Sequence, residues 1–411
     1  MNNTQKIQLL LIILLNYFTF AIVTNITGVL FPFWKTDFKI TSDAVIGMMP
    51  CFFFFAYGLT SLPQGLLLEK IGNKKTLLWG SALILLGSGV FALNPSFEIG
   101  LASLFIMGVG VTAMQIVGNL LVKQLDADPT KYSRNLTVVQ VASGLGGSGG
   151  GFLIKYLVDG LNWSWISAYY VFGGLALALC LLALFSHIPE QEIAEEKRKK
   201  VDLKDYLSVA ANPLMIVFAL GIFIYVGIEV GVSNFISRFL GDKFSIAITN
   251  AGLVVSAYWF AQAIGRLVGG VVLDKLAAPK ALTLYAIACL SSLMVGIYAP
   301  TSQIAIAGFV GAGFFTSIMF PCIFSLAVNS FDKTQEGAVA GVLCTAILGG
   351  AVITPVIGFI SDKTGSLTLS LTIAGSVCLA YIAFVGIKAL TSDKIENISA
   401  DEALEETTPI A

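Results

Sequence analysis

Charge is scarce in this chain. Only 12% of its 411 residues are charged, against roughly a quarter in soluble proteins. The net charge is −1, which provides no basic surface for nucleic acid, and none is expected as a partner. Histidine is almost missing: His187 stands alone at the end of an apolar run, beside Pro189. Histidine chemistry inside an apolar segment therefore has no candidate, and H-E-x-x-H is excluded outright. The six cysteines (Cys51, Cys180, Cys289, Cys322, Cys344, Cys378) fall within apolar runs at no metal-ligand spacing. They read as small apolar side chains rather than a disulfide frame or a zinc site, so no metal and no cofactor is expected. A Walker-type loop is absent, which argues against ATP drive. The longest hydrophilic segment is under thirty residues, too short for the soluble domain of a sensor.

Apolar residues fill the space that charge leaves. They make up 56% of the chain, and mean hydropathy is +0.85. Crossing ~30 Å of hydrocarbon takes about 20 mostly apolar residues. That rule gives twelve runs, at 7–34, 44–68, 76–93, 98–124, 134–158, 164–186, 214–240, 249–274, 280–299, 303–329, 337–360 and 368–390. Each is expected to be helical, because unpaired backbone groups in lipid cost several kcal/mol. The first run is longer than a signal-peptide core and lacks an A-x-A-like site after it, so it reads as a retained span. The expected fold class is all-α: twelve transmembrane helices in two pseudo-symmetric six-helix bundles. Residues 1–190 form one bundle and 214–390 the other. The linker 191–213 carries the charge run 195–200, and the acidic tail 391–411 is expected to be disordered.

Basic residues set the orientation. With the N-terminus in the cytoplasm, 17 of the 24 lie on that side, six lie opposite, and Arg266 lies within a span. Both termini are therefore expected in the cytoplasm, in a multi-pass protein of a plasma (bacterial inner) membrane surrounded by lipid and acting as a monomer.

The halves repeat. Gly65-x-x-x-Glu69-x-x-Gly72 closes the second run, and Gly270-x-x-x-Asp274-x-x-Ala277 closes the eighth, with the acids 205 positions apart. The eleventh run ends in the same pattern, Gly358-x-x-x-Asp362-x-x-Gly365. Glycine permits close helix approach, and the acid can accept from helix-end amides or a basic neighbour. Gly65, Glu69, Gly72, Lys74 and Asp274 are therefore expected to be gating elements. A second glycine-rich stretch, Gly144-Leu-Gly146-Gly-Ser-Gly149, matches G-x-G-x-x-G. It lies inside a span without a βαβ unit, so it reads as helix packing rather than a nucleotide site.

Several polar residues sit where lipid forbids them. Glu229 is near the middle of the seventh span, where desolvation favours the neutral acid and a proton can be bound and released. Tyr225 and Ser233 share its face at i−4 and i+4. A structural carboxylic acid bonded to a neighbouring helix is the alternative. The 205-residue offset carries Glu229 onto Thr24, beside Asn25. Gln115 and Asn119 share a face of the fourth span, and Gln140 lies in the fifth. Amides suit hydroxyl-rich ligands because each donates and accepts, although interhelical bonding serves each of them equally well. Tyr258 and Trp259 offer a stacking face or ordinary packing. Arg266 reads first as a snorkelling or paired residue near the cytoplasmic end of its span, listing toward conformational control rather than substrate.

Five stretches carry a family resemblance: Tyr225-Val-Gly-Ile-Glu229, Ser256-Ala-Tyr258-Trp259, Gly265-Arg266-Leu-Val-Gly269, Phe320-Pro321-Cys-Ile-Phe-Ser325-Leu, and Gly349 through Thr354-Pro355 to Asp362. With these the chain resembles the major facilitator superfamily over nearly its whole length. Its nearer resemblance is to the fucose/glucose–galactose permeases, which are sugar:proton symporters. The resemblance implies a secondary transporter rather than an enzyme, with a hexose-like sugar and a proton as partners. It implies sugar contacts at Asn25 and Gln140, which match an asparagine and a glutamine used by the family. It also exposes a departure: Gly28 and Gln115 stand where the fucose permeases carry a membrane-embedded aspartate and glutamate. Either coupling rests on Glu229, or the carrier is uncoupled, sodium-coupled, or an exporter of another small solute.

Overall fold

Long apolar segments without lipid-compatible loops leave the backbone one way to pair its amides, and the chain takes it almost throughout. The computed structural model describes residues 3–125, 132–189, 203–331 and 335–390. The first half comprises α1 (Asn3–Asn25), α2 (Thr27–Asp37), α3 (Asp43–Ile46), α4 (Met48–Leu93), α5 (Phe97–Lys123), α6 (Tyr132–Lys155) and α7 (Ser167–Phe185). A short helix, α8 (Leu203–Ala210), falls in the stretch read as linker. The second half comprises α9 (Pro213–Phe244), α10 (Ile248–Leu273), α11 (Ala278–Tyr298), α12 (Ser302–Thr316), α13 (Met319–Asn329), α14 (Glu336–Thr345), α15 (Gly349–Thr364) and α16 (Leu367–Leu390). Eleven described segments are long and apolar enough to cross a membrane, and α6, with 24 residues, is the twelfth. The charge run 195–200 and the tail 391–411 lie outside the described residues.

Several runs differ from their sequence outlines. The first breaks at Ile26, between α1 and α2. The second and third are joined without a loop: α4 runs for 46 residues and reverses at Gly72, whose φ of 83° and ψ of 172° suit glycine alone. The tenth breaks at Ser317–Ile318, between α12 and α13. Polar caps start several helices. Ser42, Ser96 and Asn212 each accept from a backbone N–H in the first turn of α3, α5 and α9.

Within the first half α4 packs on α5 and α7, and α1 on α6; within the second α11 packs on α12 and α16, and α9 on α15. The halves meet where α6 crosses α10, α2 crosses α9, and α15 crosses α3 and α4. Large apolar side chains such as Leu86, Phe152, Leu181, Val271 and Val377 are exposed along the helices, as a lipid-facing surface requires. The molecule is an integral, multi-pass membrane protein.

Candidate functional site

The seventh span supplies an acid with its donors already in place. Glu229 is 9% exposed, and its Oε1 accepts from the Tyr225 hydroxyl one turn earlier on α9. The same oxygen accepts from Nε2 of Gln262, on α10. Tyr258 Oη lies 3.4 Å from the Glu229 carbonyl oxygen, so two helices and two aromatic hydroxyls hold this one residue. Arg266, one turn beyond Gln262 and half-buried, is near enough for its charge to act on Glu229. Trp259 stands edge-on to Tyr258, with ring centroids 5.3 Å apart. Its indole Nε1–H is buried with no hydrogen-bond partner, a state that costs about 1–3 kcal/mol unless an acceptor arrives. Ser233 does not join this group. Its hydroxyl donates to the Val230 carbonyl at 2.9 Å, and its backbone is packed against Gly28.

The amides of the first half are bound by tyrosines. Gln115 Oε1 accepts from Tyr57 Oη on α4, and Asn119 Oδ1 accepts from Tyr17 Oη on α1 at 2.6 Å. The i,i+4 pair shares one face, and each carbonyl is taken by an interhelical bond. Asn25 is half-buried against Gly147 of α6, where a Cβ would lie 2.5 Å from the Asn25 amide nitrogen. The Gln140 side chain lies outside the described residues. The departure at Gly28 has a steric basis: a Cβ there would sit 2.3 Å from the Ser233 carbonyl oxygen. No aspartate fits that position while the halves are so arranged.

The end of the bundle opposite the chain termini is drawn shut. Asp43, at the start of α3, is 1% exposed. Its carboxylate pairs with Lys35 of its own half at 2.5 Å and with Arg238 of the other half, and it accepts from Ser361 Oγ at 2.8 Å. Asp362 reaches back from α15. It accepts from Asp43 N–H at 2.7 Å, Ala44 N–H at 3.0 Å and Ser42 Oγ at 2.6 Å, capping the first turn of α3 with a charge where the helix dipole favours one. Gly358 makes this approach possible, since a Cβ would lie 2.4 Å from the Asp43 carbonyl oxygen. Deeper in the bundle Thr27 Oγ1 donates to Asn234 Oδ1 at 2.8 Å, and the Gly151 N–H donates to Ser256 Oγ at 2.9 Å. Beside the ion pairs is a cavity of about 470 Å³, lined by Asp43, Arg238, Asp242, Lys243 and Asp362 among others.

The other copies of the pattern show no such contact among the described residues. Among the described residues nothing lies within 4 Å of a Cβ built on Gly65 or Gly270. Asp274 is exposed at the end of α10, and the Glu69 side chain lies outside the described residues. Lys74 donates to the carbonyls of Leu184 and Ser186 at 2.9 and 3.0 Å. It thereby satisfies the end of α7 within its own half. In the stretch 144–150, Gly146 abuts the Phe18 carbonyl and Gly150 abuts Ile26, as helix packing demands. Gly146 to Gly150 also spells G-x-S-x-G, but Ser148 lies inside a helix and donates to the Leu145 carbonyl, not on a strand–helix elbow.

Sequence reasoning passed over Gln262 and the Lys35–Asp43–Arg238 cluster. The signal for Gln262 was its four-residue spacing from both Tyr258 and Arg266. For the cluster it was the scarcity of charge on that face, where two of the six basic residues meet one acid.

The chain matches the Major Facilitator Superfamily over residues 13–346. It is 31% identical over 385 residues to a glucose/galactose transporter of Brucella abortus biovar 1 (strain 9-941), covering 90% of this chain and 91% of the relative. It is 29% identical over 397 residues to a putative glucose/galactose transporter of Helicobacter pylori (strain ATCC 700392 / 26695), covering 92% and 96%. Among solved structures it is similar to the Escherichia coli fucose:proton symporter, with a TM-score of 0.66 at 22% identity, covering 94% of this chain and 99% of that one.

Proposed function

This chain belongs to the Major Facilitator Superfamily, a family of transport proteins and not of enzymes, and from that premise we propose that it moves a hexose-class sugar together with a proton. The observation that carries the reading is the Glu229 carboxyl, held in mid-span by Tyr225 and Gln262. The names of the relatives, glucose/galactose transporters, supply the sugar class. The termini are assigned to the cytoplasm and the chain to the plasma membrane. The closed face is then the outer one.

The cycle follows from the site. Sugar enters between the halves near mid-span, where Trp259 Nε1–H, Asn25 and the amide of Gln115 present polar atoms toward hydroxyls, with Asn119 one turn beyond Gln115. Water delivers a proton to the Glu229 carboxylate on one side, and the acid returns it to water on the other. Rocking of the halves exposes the site alternately. Opening the outer face breaks the Asp43–Arg238 pair and lifts Asp362 from the first turn of α3. Docking of the Gly65 and Gly270 patterns closes the opposite face.

Proteoliposomes loaded with unlabelled sugar test this reading. Labelled glucose or galactose is expected to exchange saturably, and sugar addition to energised cells to alkalinise the medium. Glu229→Gln is expected to abolish the pH change while sparing exchange. Sodium-stimulated uptake without a pH change would replace the proton by sodium, and a hexose panel without transport would remove the sugar assignment.

A further inference from the structure

The carboxyl of Glu229 does not end the polar chain; Gln262 continues it. Gln262 is 3% exposed and sits between three helices. Its Nε2 donates to Glu229 Oε1 and lies 3.5 Å from both Tyr225 Oη and Thr316 Oγ1. Thr316 is the last residue of α12, next to the break in the tenth span. Its hydroxyl donates to the Gly313 carbonyl at 2.7 Å, and Gly313 in turn abuts the Tyr258 backbone. At the break itself the Ser317 hydroxyl is fully buried with no hydrogen-bond partner. A buried polar chain thus runs from the acid to the one interruption of the tenth span. Such chains are high-stakes elements, because a change at one member obliges the next to respond.

We propose that Gln262 is a positioning residue that reports the protonation state of Glu229 to the break between α12 and α13. The inference rests on the reading of Glu229 as the proton site. An amide presents N–H on one edge and C=O on the other. The N–H edge faces Glu229 in this structure, which suits a carboxylate. When water delivers a proton to that oxygen, the new O–H needs an acceptor, and an N–H edge offers none. A half-turn of the amide resolves the conflict: its C=O takes the place of Nε2, accepts from the acid and comes to face Thr316 Oγ1 as an acceptor. The Thr316 hydroxyl, which donates to the Gly313 carbonyl while Nε2 faces it, then has a competing acceptor, and the last turn of α12 can give up that bond. Loss of the proton to water reverses both changes. The ionisable groups that face Glu229 are Tyr225 on its own helix, Tyr258 and Arg266 on α10, and Cys289 on α11. Gln262 is uncharged and changes partners without a net movement of charge.

Two measurements on the full-length protein test the proposal, one of them without substrate. Infrared difference spectra taken across a pH titration contain the C=O stretch of protonated Glu229, identified by its loss in Glu229→Gln. In Gln262→Met that band is expected to move to higher wavenumber, because the acid loses its acceptor. An unmoved band overturns the inference. In proteoliposomes, Gln262→Met is expected to keep glucose or galactose exchange within about twofold of wild type. Accumulation driven by a pH gradient should fall at least tenfold, and the Glu229→Gln/Gln262→Met double variant should be no worse than Glu229→Gln. Exchange and accumulation falling together by one factor, in Gln262→Asn as well as Gln262→Met, would show packing alone and overturn it. If Glu229→Gln uncouples transport and Gln262→Met does not, only this inference fails. If Glu229→Gln still couples, the proton-site reading fails and takes the inference with it.

Discussion

The two faces of the bundle carry one sequence pattern in opposite states. At the face opposite the termini, Gly358 is pressed on the backbone of Asp43 and Asp362 caps α3. At the other face, Gly65 and Gly270 have nothing among the described residues within 4 Å of a built Cβ, and Asp274 is exposed. In the proposed cycle, a small residue four positions before an acid serves as a docking element whose partner depends on which face is closed. The glycine sets how near the helices come, and the acid supplies charge for helix-end amides. In the proposed cycle, only one face at a time can have its pattern docked.

Filling the contact should break this contrast most severely. Gly358→Leu forces a side chain into the Asp43 backbone, and overpacking by about 3 kcal/mol would lower the closed population roughly a hundredfold. Spin labels at Lys39 and Thr364, both exposed on that face, should report a longer distance; an unchanged distance would deny Gly358 its role. Asp43→Asn should act more mildly. It leaves Lys35 and Arg238 without their shared counter-charge, but the neighbouring polar cavity softens the loss. A shift on the order of 2 kcal/mol, about thirtyfold, is expected in the same label distances. Glucose exchange with unaltered distances in Asp43→Asn would reduce the ion pairs to decoration.

The smallest effect is one of pH. Lys35 lies just past its apolar run, and burial, followed by the nearby Arg238 guanidinium, brings its ammonium down to about 8 from the usual 10.5. When the faces part, Lys35 returns toward its ordinary range, so the open arrangement holds that proton more tightly. Below pH 8 both arrangements are protonated and the closed one carries the full cost. Between about 8 and 10.5 the closed one sheds the proton and gains, while Arg238 still neutralises Asp43. Closure should strengthen modestly over that window, by less than about threefold given the partial exposure of Lys35. Lys35→Met should flatten the dependence, and weaker closure at high pH would refute the assignment.

Much of the architecture could be read from the chain because lipid allows so few solutions. Twelve apolar runs, the repeat of the acid pattern at 205 residues and the family stretches all led to the same two-bundle fold. Glu229 was legible for the same reason, since an acid in mid-span has to be accounted for. Tyr225 followed from helical spacing and Gln262 did not, because its partner lies on another helix. Ser233 shows the limit of spacing: it shares the face of Glu229 but is consumed by its own helix and by the contact with Gly28. The ion cluster was opaque because Lys35, Asp43, Arg238 and Asp362 come from four separate segments. Helical breaks at Ile26 and Ser317 fall inside unbroken apolar runs, where composition gives no sign of them.

The single-residue reversal at Gly72 has a mechanical consequence. Without a loop to absorb movement, the two arms of α4 form one stiff hairpin. One arm ends beside α3, where Asp43 sits, while the other starts at Asn73 and Lys74, which are tied to carbonyls near the end of α7. A tilt begun at the ion cluster is therefore delivered, as by a lever, some 40 Å along the arm at 1.5 Å per residue, to the foot of the sixth span. Inserting flexible residues at Gly72 would put slack in that lever, and force applied at one face would no longer arrive at the other.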